Sequence, residues 1–446
     1  MSDARHKFRT LTLVAVLHAF THIYQVALMP LYLPIQQSFK LESVGSATFL
    51  VTLLMLAYFL PSYPMGVLAD RVSRKKLLGL GLAINGLGFI GLALAPSYPL
   101  ALASMVVAGF GGSFFHPAAT ALTARLFPTN MGRALGIIGI GAGAGFFLGP
   151  IYSGWRAAQS GDWRTPVLEL GWLGLVGAAA FLWLAKDTPP VAAYVRRDAR
   201  RERLFGTPAA AAFFVAAAFA FCLRDFTGSS MGSLGSLFLQ NAHGFTVQQT
   251  GVALSGIFLA TIISNPLFGH LSDGGRKRWA CLVHGVAATI IVLFPHLPGG
   301  QHLWFFLVFM AYGFFFMASY PIVEAGVMLA VNDSVRGRAF GLWITIGGLL
   351  GNLSHWLIGH WVAGFGSRAA QAETYYPLYA LLAISLLVSL IGLPCLQAVQ
   401  RREHGSPGSV QSPIGNPPVL RSSSAPEPTR GPGSTATAED GPSAIK

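Results

Sequence analysis

Long apolar runs recur along this chain from Leu11 to Leu396, and several exceed the roughly 20 residues a helix needs to cross a bilayer core. The stretch from Val167 to Ala185 carries one ionisable residue, Glu169. Within hydrocarbon every backbone N–H and C=O must find a partner inside the protein, which leaves helices or closed barrels. Barrel strands alternate apolar and polar residues over short segments, and no such alternation occurs here. The chain is therefore expected to be an all-α integral membrane protein. Charged residues make up 11% of it, against about 25% in soluble domains, too few to cover a water-facing surface.

Pro, Gly and charged clusters divide the sequence into twelve predicted spans: 11–35, 46–69, 76–95, 99–126, 133–155, 166–186, 208–239, 248–270, 278–297, 302–330, 338–363 and 375–397. The domain reading is an N-terminal segment 1–10, a bundle 11–186, a basic linker 187–207, a second bundle 208–397 and a tail 398–446. The seventh span is too long for one straight crossing, and Gly228, Gly232 and Gly235 predict a break or re-entrant end there. From about Glu403 the composition turns to Gly, Pro, Ser and Thr, a mixture that cannot bury a core and predicts a disordered cytoplasmic tail.

The net charge of +13 raises the possibility of nucleic acid, but its placement excludes it. On this map 25 of the 30 Lys and Arg residues fall on the side that holds both termini. Lys40, Arg156, Arg164 and Arg368 fall on the other side, and Arg224 alone lies within a helix. That asymmetry follows the positive-inside rule and predicts cytoplasmic termini. The basic start followed by an apolar run resembles a signal peptide. The run is long, carries His18 and His22 and lacks a small-residue cleavage site, so it is read as a retained span. Cys222, Cys281 and Cys395 lie in different spans without pairing or metal-ligand spacing and are read as packing residues.

An internal repeat organises the chain. Gly66-Val67-Leu68-Ala69-Asp70-Arg71 recurs as Gly269-His270-Leu271-Ser272-Asp273-Gly274, an offset of 203 residues. Phe115-His116-Pro117 recurs as Ser319-Tyr320-Pro321, and Gly132-Arg133-Ala134-Leu135-Gly136 as Gly337-Arg338-Ala339-Phe340-Gly341, at offsets of 204 and 205. Three landmarks in one order define two six-helix halves of parallel topology, a known carrier design with its binding site between the repeats.

The loop Gly66 to Lys76 resembles the signature of the major facilitator superfamily, with Ser73 in place of one Gly. The resemblance implies two six-helix bundles that alternate access. The loop would act as a gating latch: Gly66 permits close helix approach, and Asp70, with Arg71 and Arg74 nearby, holds one side shut. Asp273 and Arg276 mark the second copy. In the fifth span, Gly145, Gly149-Pro150 and a displaced Gly154 resemble the superfamily's antiporter motif. Small residues there admit close packing, and Pro150 predicts a kink. Offset 205 places Ser354-His355 at the matching position, so the motif belongs to the first half only.

The resemblance implies that spans 1, 4, 7 and 10 line a central cavity. Intramembrane polar groups are functional candidates, and these spans supply them. His18, His22 and Gln25 share one face of the first, with His22 roughly 16 Å deep at 1.5 Å per residue. The fourth offers His116, the seventh Arg224 and Asp225, and the tenth Tyr320 and Glu324. Arg224 and Asp225 project about 100° apart along a helix and need not pair. Asn265, His284, Asn352, His355 and His360 form a thinner inventory elsewhere. Over roughly residues 11–397 the chain resembles the fosmidomycin-resistance group of efflux carriers. The matching residues are His18, Gln25 and Pro30, and the run from Gly112 through Ser113, Phe114, Phe115 and His116 to Pro117. His22 and Ala118 stand where that group carries acidic residues.

The expected function is proton-coupled antiport by a monomeric carrier of the bacterial inner membrane, exporting a small anionic or zwitterionic compound. Proton-coupled uptake of an organic acid or other small nutrient is the alternative, and a non-transporting membrane receptor or scaffold with the same fold is the reading from another class. The sequence contains no phosphate loop, no recognised metal-ligand spacing and no nucleophile elbow, so it is not read as an enzyme, and no cofactor is expected.

Overall fold

The computed structural model describes residues 2–69, 71–127, 130–186, 203–332 and 335–404. Within them twelve transmembrane helices follow one another: α1 Arg5–Ser38, α2 Val44–Ala69, α3 Arg74–Leu94, α4 Tyr98–Thr123, α5 Arg133–Ser160, α6 Arg164–Leu184, α7 Pro208–His243, α8 Val247–Ser272, α9 Arg276–His296 and α10 His302–Ala330. Next comes α11, in two pieces, Arg336–Gly351 and Ser354–Ala363, then α12, Ala372–His404. Asn352, Ser354, His355 and His360 dilute the apolarity of α11. The first helical turns begin at Ser2, so residues 2–10 continue α1. The linker 187–202 and the tail 405–446 lie outside the described residues. Cys281 is exposed, unlike buried Cys222.

Local chemistry sets the helix ends. Thr207 accepts from the Ala210 N–H at the start of α7, and Thr246 with Gln249 forms a reciprocal capping box on α8. Gly161 and Gly244 adopt φ of 69° and 64° and end α5 and α7, a backbone conformation natural to glycine. On the face away from the termini, Arg156 pairs with Glu169 at 2.8 Å. Arg164 donates to the carbonyls of Ala93 and Ala95. Two of the four cations on that face thus serve structure.

The repeat read in the sequence is also a packing repeat. A side chain at Gly66 would meet Pro117 at 3.7 Å, and one at Gly269 would meet Pro321 at 3.9 Å. Gly109 of α4 presses on the Leu54 carbonyl of α2, and Gly313 of α10 on the Ile257 carbonyl of α8. The second pair shows where glycine is required. At Gly66 the spacing is ordinary van der Waals contact, so the close approach assigned to it belongs to Gly109 instead.

The predicted interruption of α7 does not occur: Pro208–His243 is one unbroken helix of 36 residues. Its glycines make room, Gly228 for Phe316, Gly232 for Met29 and Gly235 for Phe309. Breaks fall in other helices. In α4 the chain turns at Ser113 and Phe114, and the helix resumes at Phe115 with Pro117 in its first turn. Proline has no N–H to continue the ladder there. Helix α5 runs without a break through Pro150.

Candidate functional site

The break in α4 sets His116 in the first turn of its second segment, facing α1. His18 and His22, one turn apart, meet it. The three rings form one cluster, with His18 edge-on to His116 at 5.2 Å between centroids and His22 at 6.0 Å. The polar contacts are directional. His18 Nδ1 lies 2.9 Å from the Ile138 carbonyl of α5, and His22 Nδ1 lies 2.8 Å from Gln25 Oε1. The two Nε2 atoms face each other at 3.0 Å. Aromatic rings enclose the cluster: Phe115 stacks on His18, Phe146 lies 4.0 Å from His22, and Tyr58 stands edge-on to His116. Phe146 in turn stacks on Phe258 of the second half.

The second half holds a buried charge cluster. Arg224 is 1% exposed. Its Nε and Nη2 donate to Asp225 Oδ1 at 3.0 and 2.8 Å, so the pairing that the sequence left open is made. The guanidinium lies 4.0 Å over the Tyr320 ring, a cation–π contact. Its Nη1 is buried without a hydrogen-bond partner. Glu324, one turn beyond Tyr320, lies within electrostatic reach of Arg224 and Asp225. It makes no hydrogen bond among the described residues.

A third polar group was ranked low in the sequence. At the end away from the termini, Tyr32 of α1 and Ser233 of α7 share a hydrogen bond of 3.0 Å, and Ser233 bonds His355 Nδ1 at 2.7 Å. Asn352 contacts His355 and Ser229. Thr52 spans the break in α11: its hydroxyl donates to the Asn352 carbonyl and accepts from the Trp356 N–H. Ser236 and Gln240 donate to the Met29 and Pro30 carbonyls. Together these bonds tie the two halves at this end. Asn352 and His355 were visible as polar residues in an apolar span, but Tyr32, Thr52 and Ser233 carried no such signal.

The motif residues separate by role. Gly141 and Gly145 press on the carbonyls of Ala15 and Ala19, and Gly149 meets Val26, so the antiporter-like run packs α5 onto α1. The Pro150 carbonyl abuts Gly251, and Gly154 abuts Val247, so the same helix also meets α8 of the other half. Asp70 lies outside the described residues; Arg71 is exposed and Arg74 buried. Asp273 is exposed, and Arg276 packs its aliphatic arm near Gly326.

Two six-helix repeats, tied together at one end and carrying ionisable groups at depth in each half, have the architecture of a membrane transporter. The Major Facilitator Superfamily model matches residues 11–224 and 217–428, and the chain belongs to that superfamily of membrane transporters. It is similar to the fosmidomycin resistance protein of Escherichia coli strain K12, 23% identical over 78% of this chain and 86% of that one. It is also similar to multidrug resistance protein 2 of Bacillus subtilis strain 168, 24% identical over 65% and 74%. Among solved structures, a bacterial homologue of the human lysosomal transporter Spinster, inward-facing and occupied, superposes with a TM-score of 0.70 at 16% identity, covering 89% of this chain and 97% of the other.

Proposed function

We propose that this protein is a proton-coupled antiporter of the bacterial inner membrane, with cytoplasmic termini, that exports a small zwitterionic compound. The observation that carries the reading is the pairing of a permanently charged Arg224, with one buried nitrogen unpartnered, and a nearby Glu324 that makes no hydrogen bond, both among the described residues. Antiport requires cargo and proton to compete for one group. A zwitterion does so by placing its cationic group on the Glu324 carboxylate and its anionic group on Arg224 Nη1, where a guanidinium favours planar oxyanions. Protonation of Glu324 then expels the cargo. The names of the relatives, resistance to fosmidomycin and to multiple drugs, support export. The loop at Asp70 serves as the latch in this scheme, with Asp70→Asn expected to impair transport in folded protein.

A purely anionic cargo would bind better beside protonated Glu324, which is symport and corresponds to the uptake alternative. The sign of the coupling separates the two. A thermal-shift screen of phosphonates, carboxylates, siderophores and antibiotics identifies a ligand, because binding to the folded state raises Tm. That ligand is then followed in proteoliposomes under an imposed pH gradient. Movement opposite to the proton is expected, and movement with it overturns antiport. Glu324→Gln, which mimics the protonated side chain, should weaken cargo binding and abolish gradient-driven accumulation. Unchanged accumulation would remove Glu324 from the proton path.

A further inference from the structure

The histidine cluster has a feature that proton coupling at Glu324 leaves unused. A carbonyl oxygen can only accept, so His18 Nδ1 must carry the hydrogen it gives to Ile138. The Gln25 Oε1 atom likewise accepts from His22 Nδ1. In the neutral rings both Nε2 atoms are then bare lone pairs, 3.0 Å apart and aimed at each other. Two lone pairs so placed, inside an aromatic shell, repel unless a cation stands between them. His116 turns a third imidazole to the same point and makes no hydrogen bond among the described residues. The ligand nitrogens of the three lie within 4.8 Å of one another. A tetrahedral ion with metal–nitrogen bonds of about 2.0–2.1 Å sets its ligand nitrogens about 3.3 Å apart. Small ring rotations bring this set to that geometry.

We propose that His18, His22 and His116 bind a divalent transition metal of the zinc, cobalt and nickel class through the imidazole nitrogens that face one another. The Ile138 carbonyl and Gln25 already occupy the supporting positions: each holds a ligand ring by its other nitrogen, as metal-bound histidines are held. An all-imidazole set selects these borderline metals over magnesium or calcium, which take oxygen ligands. Three protein ligands leave a fourth position for water or another oxygen donor. The site lies within the first half, on α1 and α4, and its existence is independent of cargo and of coupling direction.

The test is a Co²⁺ titration of purified full-length protein, stripped with a chelator and followed by visible absorption, with no substrate or gradient present. One equivalent of Co²⁺ should give the intense bands of a four-coordinate site, and Zn²⁺ should displace them. His116→Gln, at a half-buried position, should weaken binding at least tenfold while Tm without metal is unchanged. Gln25→Leu should weaken it about 10–100-fold, the usual effect of losing such a support. His284→Gln, in the other half, should leave binding unaltered. The competing arrangement turns the Gln25 amide, so that its NH₂ donates to His22 Nδ1 and His22 Nε2–H donates to His18. That neutral chain offers no lone-pair pocket. Absence of four-coordinate bands from the wild type would favour that chain, and either that result or equal Co²⁺ spectra for wild type and His116→Gln, both folded, would overturn the metal site.

Discussion

At the scale of single residues, Arg224 shows how a charge is kept inside a membrane protein. Asp225 neutralises it through two hydrogen bonds and Tyr320 covers its face. Only Nη1 is left without a hydrogen-bond partner among the described residues. Breaking a buried ion pair by removing one partner costs about 3–5 kcal/mol, because the other charge is stranded. Arg224→Ala should therefore reduce folded protein, and Arg224→Ala with Asp225→Asn should restore it, as fluorescence-detected gel filtration would show. Arg224→Lys should keep abundance but weaken ligand binding, since an ammonium lacks the planar fork. Full transport by the folded double variant would exclude Arg224 from cargo contact. The sequence singled out Arg224 as the cation inside a helix. It could not place the guanidinium, because a long side chain folds back on its neighbour whatever the direction of the Cα–Cβ bonds. The histidines divide in the same way. Their shared face follows from i, i+4 spacing; two histidines so spaced on a helix can also hold a metal, which corrects the reading that the sequence has no metal-ligand spacing. The direction of the His18 nitrogens depends on the Ile138 carbonyl, 120 residues away.

At the scale of helices, small residues in the sequence marked close contacts without saying which ones mattered. In α7 they were read as a break, yet the helix is continuous, because Met29, Phe309 and Phe316 fill the space that Gly232, Gly235 and Gly228 leave. No local pattern reveals those partners. In α5 the repeated glycines were legible as a packing surface, and their partners prove to be the α1 backbone at Ala15 and Ala19. The contrast gives a sharp comparison. A methyl at Gly145 collides with the Ala19 carbonyl, whereas one at Gly66 sits 3.7 Å from Pro117. Gly66→Ala should leave Tm and transport close to wild type. Gly145→Ala should destabilise by about 1–3 kcal/mol, the usual cost of overpacking, or force α5 off α1. Thermal unfolding in detergent measures both, and equal Tm values for the two variants would contradict the contact. Gly149→Val should stop transport or leave it leaky to protons if the motif keeps the exchange tightly coupled.

At the scale of the whole molecule, the twelve helices and the two halves were legible because hydrophobic length and repeat offset are properties of sequence alone. The gate was not, because its hydrogen bonds join residues 201 and 300 positions apart. At the end away from the termini the halves meet along two edges, α5 against α8 and α2 against α11, with the α1–α7 hydrogen bonds between them. On the second edge a side chain at Gly359 would collide with Thr48 and come within 2.9 Å of the Gly45 Cα. Closure of that end thus depends on the absence of a side chain at residue 359. In the proposed alternating-access cycle these contacts part, so a bulky residue there should favour the opposite state rather than unfold the protein. Ser233, fully buried beneath the gate between Tyr32 and His355, provides the reporter. With Cys222, Cys281 and Cys395 replaced by Ser or Ala, Ser233→Cys should react slowly with a membrane-impermeant thiol reagent added on the side opposite the termini. Adding Gly359→Leu should raise that labelling rate at least tenfold, with normal gel-filtration behaviour. If labelling is equally slow with and without Gly359→Leu while both proteins are folded, this edge does not hold the gate shut, and closure must be assigned to the α5–α8 edge at Pro150 and Gly251.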